Sequence, residues 1–94
     1  MPSSVRIAKG ALVCDGAVLT GDITIGATTV VFPGARIQCS EGAGPVTVGS
    51  DCVVEEGASI VNMNPGEMHI GDGNLFEVGC TVSAKKVGAA EGIQ

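Results

Sequence analysis

Aliphatic residues recur at every sixth position along much of this chain, and that spacing limits what it can fold into. The first run begins at Ile7, ends at Ile37 and contains six aliphatic residues without a miss. Residues six apart on an α-helix point in very different directions, so no helix could bury this row on one face. A period of six instead predicts a solenoid in which each hexad forms one short β-strand and one corner. The members of the row are Ile7, Val13, Leu19, Ile25, Val31 and Ile37.

The same phase resumes twice after short interruptions. Val48 follows Ile37 by eleven positions, and Ile70 follows Ile60 by ten positions. Both interruptions follow the third hexad of a group of three, which is the grouping that a three-sided coil requires. We therefore predict that both excursions leave the solenoid at the same corner. The later members of the row are Val48, Val54, Ile60, Ile70, Phe76 and Val82.

Glycine occupies one fixed position in the middle hexad of each group, and a small residue follows it. A glycine column predicts a corner that needs positive φ, and a small-residue column predicts close approach of the backbone inside that corner. The chain is therefore predicted to form a single all-β domain over residues 1–94, a three-sided parallel β-helix of about four coils. The two columns are Gly16, Gly34, Gly57 and Gly79, and Ala17, Ala35, Ala58 and Cys80.

Composition excludes several classes of function. The chain has a net charge of −5 and contains two Phe, no Trp and no Tyr, so it offers neither a basic stripe nor aromatic platforms for bases. We therefore expect no nucleic-acid binding. No apolar run approaches membrane-spanning length and the N-terminus lacks a signal-peptide layout, so we expect a cytosolic chain that does not insert into membranes. The four widely spaced cysteines predict free thiols, with Cys52 and Cys80 acting as small apolar residues at corners.

The single histidine, His69, argues against a metal-dependent enzyme. A catalytic zinc site needs three protein ligands and one open position. One histidine per chain could complete such a site only around a three-fold axis, with one ligand from each subunit. We expect His69 instead to be exposed at the end of an excursion that spans 61–69. We predict no catalytic residue, no bound metal and no cofactor.

Acidic residues are concentrated in the second half of the chain, where residues 48–84 contain six Asp or Glu and no Lys or Arg. Glu55 and Glu77 are one coil plus four residues apart, which places them in one column above Cys14 and Phe32. This column is either a solvated wall or a patch that binds a partner. The last coil presents an open end, so residues 70–93 are also predicted to mediate contacts, including self-association. The candidate partner-binding residues are Glu55, Glu56, Glu77, Ile70, Phe76 and Val82.

Hexads of the form Ile/Val-Gly-x-x-x-Val resemble those of the left-handed parallel β-helix superfamily. Within it, the chain resembles the dynactin subunit 6 family, which belongs to the dynactin pointed-end complex. The resemblance implies the left-handed turn. It also implies that 1–94 is truncated at its C-terminal end, because the family continues for further coils and a helix. The segments that carry the resemblance are 4–14, 21–26, 43–49, 55–56 and 76–80.

The resemblance implies a non-catalytic scaffold subunit rather than an enzyme. Its expected partners are a dynactin subunit 5-like β-helical subunit and other pointed-end subunits. Its expected setting is the cytoplasm and cytoskeleton, where it would support dynein-driven, microtubule-based transport and cargo attachment. The alternative is a homotrimer similar to the γ-class carbonic anhydrases, either active or decayed, which hold zinc with three histidines across a subunit interface. Hexapeptide acyltransferases are also similar in fold, but they use a histidine base beside a coenzyme A groove.

Overall fold

Short parallel strands wind around a prism in the computed structural model, which describes residues 4–83 and the strand Lys86–Val87. Each strand contains only two to four residues, because a corner follows every hexad. The strands, in chain order, are β1 (Ser4–Ile7), β2 (Leu12–Val13), β3 (Val18–Thr20), β4 (Asp22–Ile25), β5 (Val30–Val31), β6 (Arg36–Cys39), β7 (Val46–Val48), β8 (Val53–Val54), β9 (Ser59–Asn62), β10 (Met68–Ile70), β11 (Leu75–Phe76), β12 (Thr81–Val82) and β13 (Lys86–Val87).

Every third strand pairs with its predecessor, so the strands form three parallel sheets. The first face is the sheet β1-β4-β7-β10-β13, the second face is β2-β5-β8-β11, and the third face is β3-β6-β9-β12. All of these pairings are parallel and join each coil to the next. The predicted fold is confirmed: the chain is a left-handed parallel β-helix of about four coils.

Alternation within each strand decides which side chains enter the prism. In β4, Ile23 and Ile25 are fully buried, whereas Thr24 between them faces outward and accepts a hydrogen bond from Arg6 Nε at 3.0 Å. Period-2 alternation is what a strand with one buried face requires. Because the hexads are in register, each inward aliphatic residue stacks on its equivalent one coil away. The interior is therefore filled by continuous aliphatic columns rather than by an irregular core.

The burial of the twelve predicted inward residues differs between the first coil and the other coils. The nine in the second to fourth coils are buried, from Ile25 to Val82. Those of the first coil are less covered: Ile7 is 51% exposed, and Val13 and Leu19 are half-buried. The reason is position, since β1, β2 and β3 are the outermost strands of their sheets among the described residues and are covered on one side only.

The glycine column adopts the backbone conformation that the sequence predicted. Gly16, Gly34, Gly57 and Gly79 have φ values of 90°, 79°, 73° and 75°, in the left-handed region that favours glycine. The next column is small for a visible reason. Ala35 and Ala58 have no exposed area, because they point into the same corner.

Both excursions lie at the corner between the third and first faces, as predicted. They are residues 40–45, between β6 and β7, and residues 63–67, between β9 and β10. Asn62 joins them: its Nδ2 donates to Gly44 O at 3.0 Å and to Gly66 O at 2.9 Å, and its Oδ1 accepts from Asn64 N at 3.0 Å. Its side chain is fully buried, and these bonds satisfy it there. The two excursions therefore stack as one unit.

Candidate partner-binding surface

An aliphatic stripe runs along the outside of the second face. In each two-residue strand of this sheet the second residue points into the prism, so the first faces outward. The register aligns these outward residues across all four coils. The two at the ends are exposed by 56% (Leu12) and 40% (Leu75), and the two in the middle are half-buried. The aliphatic stripe consists of Leu12, Val30, Val53 and Leu75.

The predicted carboxylate column lies beside this stripe. Phe32 N donates to Val54 O and Glu55 N donates to Phe76 O, each at 2.9 Å, so Phe32, Glu55 and Glu77 follow one another on successive coils. A shallow hollow next to the column is lined by Phe32, Glu55, Glu56 and Val78. The three glutamates named from the sequence are therefore brought together on one face, alongside exposed apolar side chains.

The three apolar candidates lie inside the prism instead. Ile70 and Phe76 have no exposed area and Val82 is 5% exposed. Each is the inward residue of its strand and packs into an aliphatic column. They could meet a partner only through an end of the solenoid, not through one of its faces. The predicted contact segment 70–93 lies partly outside the described residues.

Charge on the second face is unbalanced. Among residues 4–83 the single salt bridge joins Arg6 to Asp22 on the first face, so no described cation pairs with Glu55, Glu56 or Glu77. Burial raises the pKa of the Cys80 thiol, and the nearby negative charges of Glu77 and Glu55 raise it further. The carboxylate column therefore has a negative electrostatic potential, which a bound cation would offset.

The four cysteines are free thiols, and Cys52 is the most deeply placed of them. Its Sγ donates to Gly71 O at 3.2 Å, and its backbone N–H donates to the buried hydroxyl of Thr29 at 3.2 Å. Burial raises the pKa of the Cys52 thiol, with a smaller contribution from the charge of Asp72. Cys52 is therefore a small buried residue at a corner, as the sequence predicted.

This buried thiol predicts how stability depends on pH. The folded chain keeps its proton at a pH where the unfolded thiol ionises, so the folded state binds more protons and the free energy of unfolding falls as pH rises. The stabilisation is complete below the unfolded thiol pKa of about 8.5. It is lost as pH rises through the higher folded value.

Urea denaturation across a series from about pH 8 to about pH 10.5 checks this dependence. We expect the midpoint to fall over that range in the wild-type chain and to fall less steeply in a Cys52→Ala chain. Cys80, whose pKa is also raised, contributes part of the slope that remains in the variant. An identical slope in the two chains would contradict the link to Cys52.

His69 is exposed, as predicted, but it does not lie in the excursion, which spans 63–67 rather than 61–69. It lies on the outward side of β10, opposite Thr47 in register. Within the part of the chain that the structure describes, no three His, Cys, Asp or Glu side chains converge as metal ligands do. In that same part, no helix is long and apolar enough to cross a membrane. The candidate partner-binding surface is therefore the second face, and it does not include His69.

Comparison with known proteins gives the chain its relatives. It is 44% identical to dynactin subunit 6 of Danio rerio over 90% of its length, and 43% identical to that of Xenopus tropicalis over 90%. Over about nine-tenths of its length, the chain is similar to dynactin subunit 6. The Nematostella vectensis dynactin subunit 6 is 38% identical over 93% of the chain. The chain spans about half the length of these relatives: 49% of the Danio rerio protein, 47% of the Xenopus tropicalis protein and 52% of the Nematostella vectensis protein. No protein-family model matches the chain.

Sequence reasoning missed the aliphatic stripe, although its signal was present. Leu12, Val30, Val53 and Leu75 close equivalent hexads and were visible as a repeat. Each one immediately precedes an inward residue, and alternation along a strand places such a residue outside. Alternation across the junction of the first and second hexads would have predicted an apolar outer surface beside the glutamates.

Proposed function

We propose that the chain is a non-catalytic scaffold and interaction subunit of dynactin, acting in the pointed-end complex. The observation that carries the proposal is its similarity to proteins named dynactin subunit 6 over about nine-tenths of its length. The fold is suited to this role, because inter-coil hydrogen bonds and stacked aliphatic columns make a rigid prism whose outer faces are free to bind.

Two kinds of partner follow from the proposal. A β-helical subunit similar to dynactin subunit 5 would pack against the solenoid, and other pointed-end subunits would complete the assembly. In the cytoplasm and on the cytoskeleton, the chain would support dynein-driven, microtubule-based transport by helping to attach cargo. It would do so by binding its partners in a fixed arrangement rather than by catalysing a reaction.

A binding experiment with purified proteins tests this role. The tagged chain is immobilised and incubated with recombinant dynactin subunit 5, and retained protein is quantified over a concentration series. We expect saturable retention by the wild-type chain and none by an Ile25→Asp chain, in which the core is disrupted. Absence of retention by a correctly folded wild-type chain would contradict the assignment.

The non-catalytic part of the proposal has its own measurement. The chain is incubated with zinc, dialysed and assayed for metal content and for carbon dioxide hydration. We expect no retained zinc and no rate above that of buffer. One zinc per three chains together with hydration activity would instead establish the γ-class carbonic-anhydrase-like trimer.

A further inference from the structure

We infer that the second face is a docking surface for a partner's amphipathic helix, which presents an aliphatic row between Lys or Arg side chains. The inference rests on the proposed scaffold role and names the surface and the partner chemistry that this role would use. Its components are the aliphatic stripe, the adjacent carboxylate column and the acidic corner on the other side of the stripe.

Exposed apolar side chains are concentrated on this face. Of the eight large hydrophobic residues exposed among those described, four lie here. Three others belong to the first and third faces of the first coil, whose end is uncovered, and one lies in the second excursion. Phe32 (37% exposed) and Val78 (68%) extend the stripe toward the carboxylate column. Contiguous apolar surface of this kind, rimmed by polar groups, is typical of sites that bind another protein. The four are Leu12, Phe32, Leu75 and Val78.

Carboxylates flank the stripe on both sides in the third and fourth coils. Glu55, Glu56 and Glu77 follow the stripe along the chain. Asp51 and Asp72 precede it at the corner between the first and second faces, and both are exposed. A partner that covers the apolar row must therefore place its own flanking groups against negative charge. Lys and Arg provide favourable contacts there, and their long stems also cover apolar surface.

Charge also argues against a second copy of this chain on the same surface. Two copies related by a two-fold axis would bring the glutamates of one close to those of the other, since such an interface uses the same patch twice. Like charges in an interface cost free energy and disfavour that pairing. The rim therefore selects a partner of opposite charge.

The direction of the stripe favours a helix. Successive coils are about 4.8 Å apart along the solenoid axis, so the four stripe residues span about 14 Å. A helix rises about 1.5 Å per residue, and its apolar residues three or four apart are separated by about 4.5–6 Å along its axis. A helix of roughly ten residues that lies along the solenoid would therefore place one apolar side chain against each coil.

Amide chemical shifts followed during a peptide titration test the inference. The probe is a synthetic helix-forming peptide with one leucine row flanked by lysines, and its control carries glutamates in place of the lysines. We expect the lysine peptide to shift amides of the stripe and of Glu55 and Glu77, with affinity that weakens as salt rises. The glutamate peptide should not bind. Binding of both peptides alike, or shifts centred on the first or third face, would overturn the inference.

Matched variants separate the apolar and charged contributions. Leu75→Ser should weaken binding of the lysine peptide by about tenfold. Val18→Ser, which removes a comparably exposed residue (44%) from the third face, should not. The double variant Glu55→Gln, Glu77→Gln should remove most of the salt dependence of binding. The double variant Glu41→Gln, Glu67→Gln, at the corner between the third and first faces, should leave that salt dependence unchanged. Equal effects of the two single variants, or of the two double variants, would contradict the assignment of the surface.

Two further readouts identify other occupants of the stripe. If the stripe were covered within the molecule, Leu75→Ser would lower the melting temperature markedly; a docking role predicts little change. If a second copy covered it, sedimentation would show a dimer that Leu75→Ser dissociates. Either result overturns the inference.

Failure of the peptide titration with intact binding to dynactin subunit 5 rejects only this surface. Loss of subunit 5 binding by the wild-type chain rejects the proposed function.

Discussion

Replacing Ile25 with Asp should prevent the chain from folding. Ile25 has no exposed area and stacks between Ile7 and Val48 in the first-face column. The change removes a buried aliphatic side chain and places an unpaired carboxylate in the prism, with a combined cost of about 5 kcal/mol or more. That is comparable to the whole stability of many small domains. Circular dichroism should show loss of the β signal at room temperature.

The neighbouring position provides the control. Thr24 lies in the same strand but faces outward beside the Arg6 guanidinium, so Thr24→Asp places the same carboxylate in water near a cation. Thr24 is half-buried but outside the prism, so we expect the variant's melting temperature to stay within a few degrees of wild type, since surface substitutions change stability by about 0.5 kcal/mol. Equal damage from the two variants would contradict the inward and outward assignment of β4.

Replacing Gly26 with Ala should also be severe, for a different reason. A Cβ at Gly26 would lie 2.4 Å from the carbonyl carbon and oxygen of Gly49 in the next coil. The obstacle is backbone held by inter-coil hydrogen bonds, so it cannot rotate away as a side chain could. Overpacking of this kind costs roughly 3 kcal/mol or more. Chemical denaturation should show a midpoint lowered accordingly.

Gly66→Ala is the matched control for that variant. A Cβ at Gly66 would meet no atom within 4 Å, and Gly66 does not have positive φ. We expect its denaturation midpoint to equal that of wild type or to rise slightly, because alanine restricts the unfolded chain. If Gly26→Ala were as well tolerated as Gly66→Ala, close contact between the first-face corners would be disproved.

The sequence allowed the fold to be predicted because the repeat uses local rules many times over. Period six places Ile25, Val31 and Ile37 inside, and glycine at a fixed phase identifies a corner such as Gly34. Each rule is weak at one position and strong when it recurs on several coils. The residues most easily assigned were therefore those that repeat.

Residues that break the repeat could not be assigned in this way. Thr28 and Asp51 have φ values of 56° and 59° at a corner where Gly10 and Gly73 occupy the first and fourth coils. The hexad pattern places these two in a column with two glycines, but a column that only half consists of glycine does not establish positive φ at its other members. Asn62 likewise looked like part of an excursion, and only the stacking of two excursions showed that it is buried.

The surface was predicted less well than the core. Glu55 and Glu77 were correctly expected to occupy one column, because the coil length fixes it. Their place in an interface depends on how outer side chains from several coils combine with the partner's shape and charge. Packing rules inside the prism do not determine that combination, so the aliphatic stripe was not predicted as part of an interface, although alternation along the strands indicated it.

Sedimentation of the chain with native dynactin tests the central claim most directly. The tagged wild-type chain is expressed in cells, the extract is separated on a sucrose gradient, and the tag is followed together with endogenous dynactin subunits. We expect the tag to sediment with the dynactin complex, and the Ile25→Asp chain to be absent from those fractions. A folded wild-type chain that remained entirely in the light fractions, as expected for a free 9.3 kDa protein, would contradict its proposed role as a dynactin subunit.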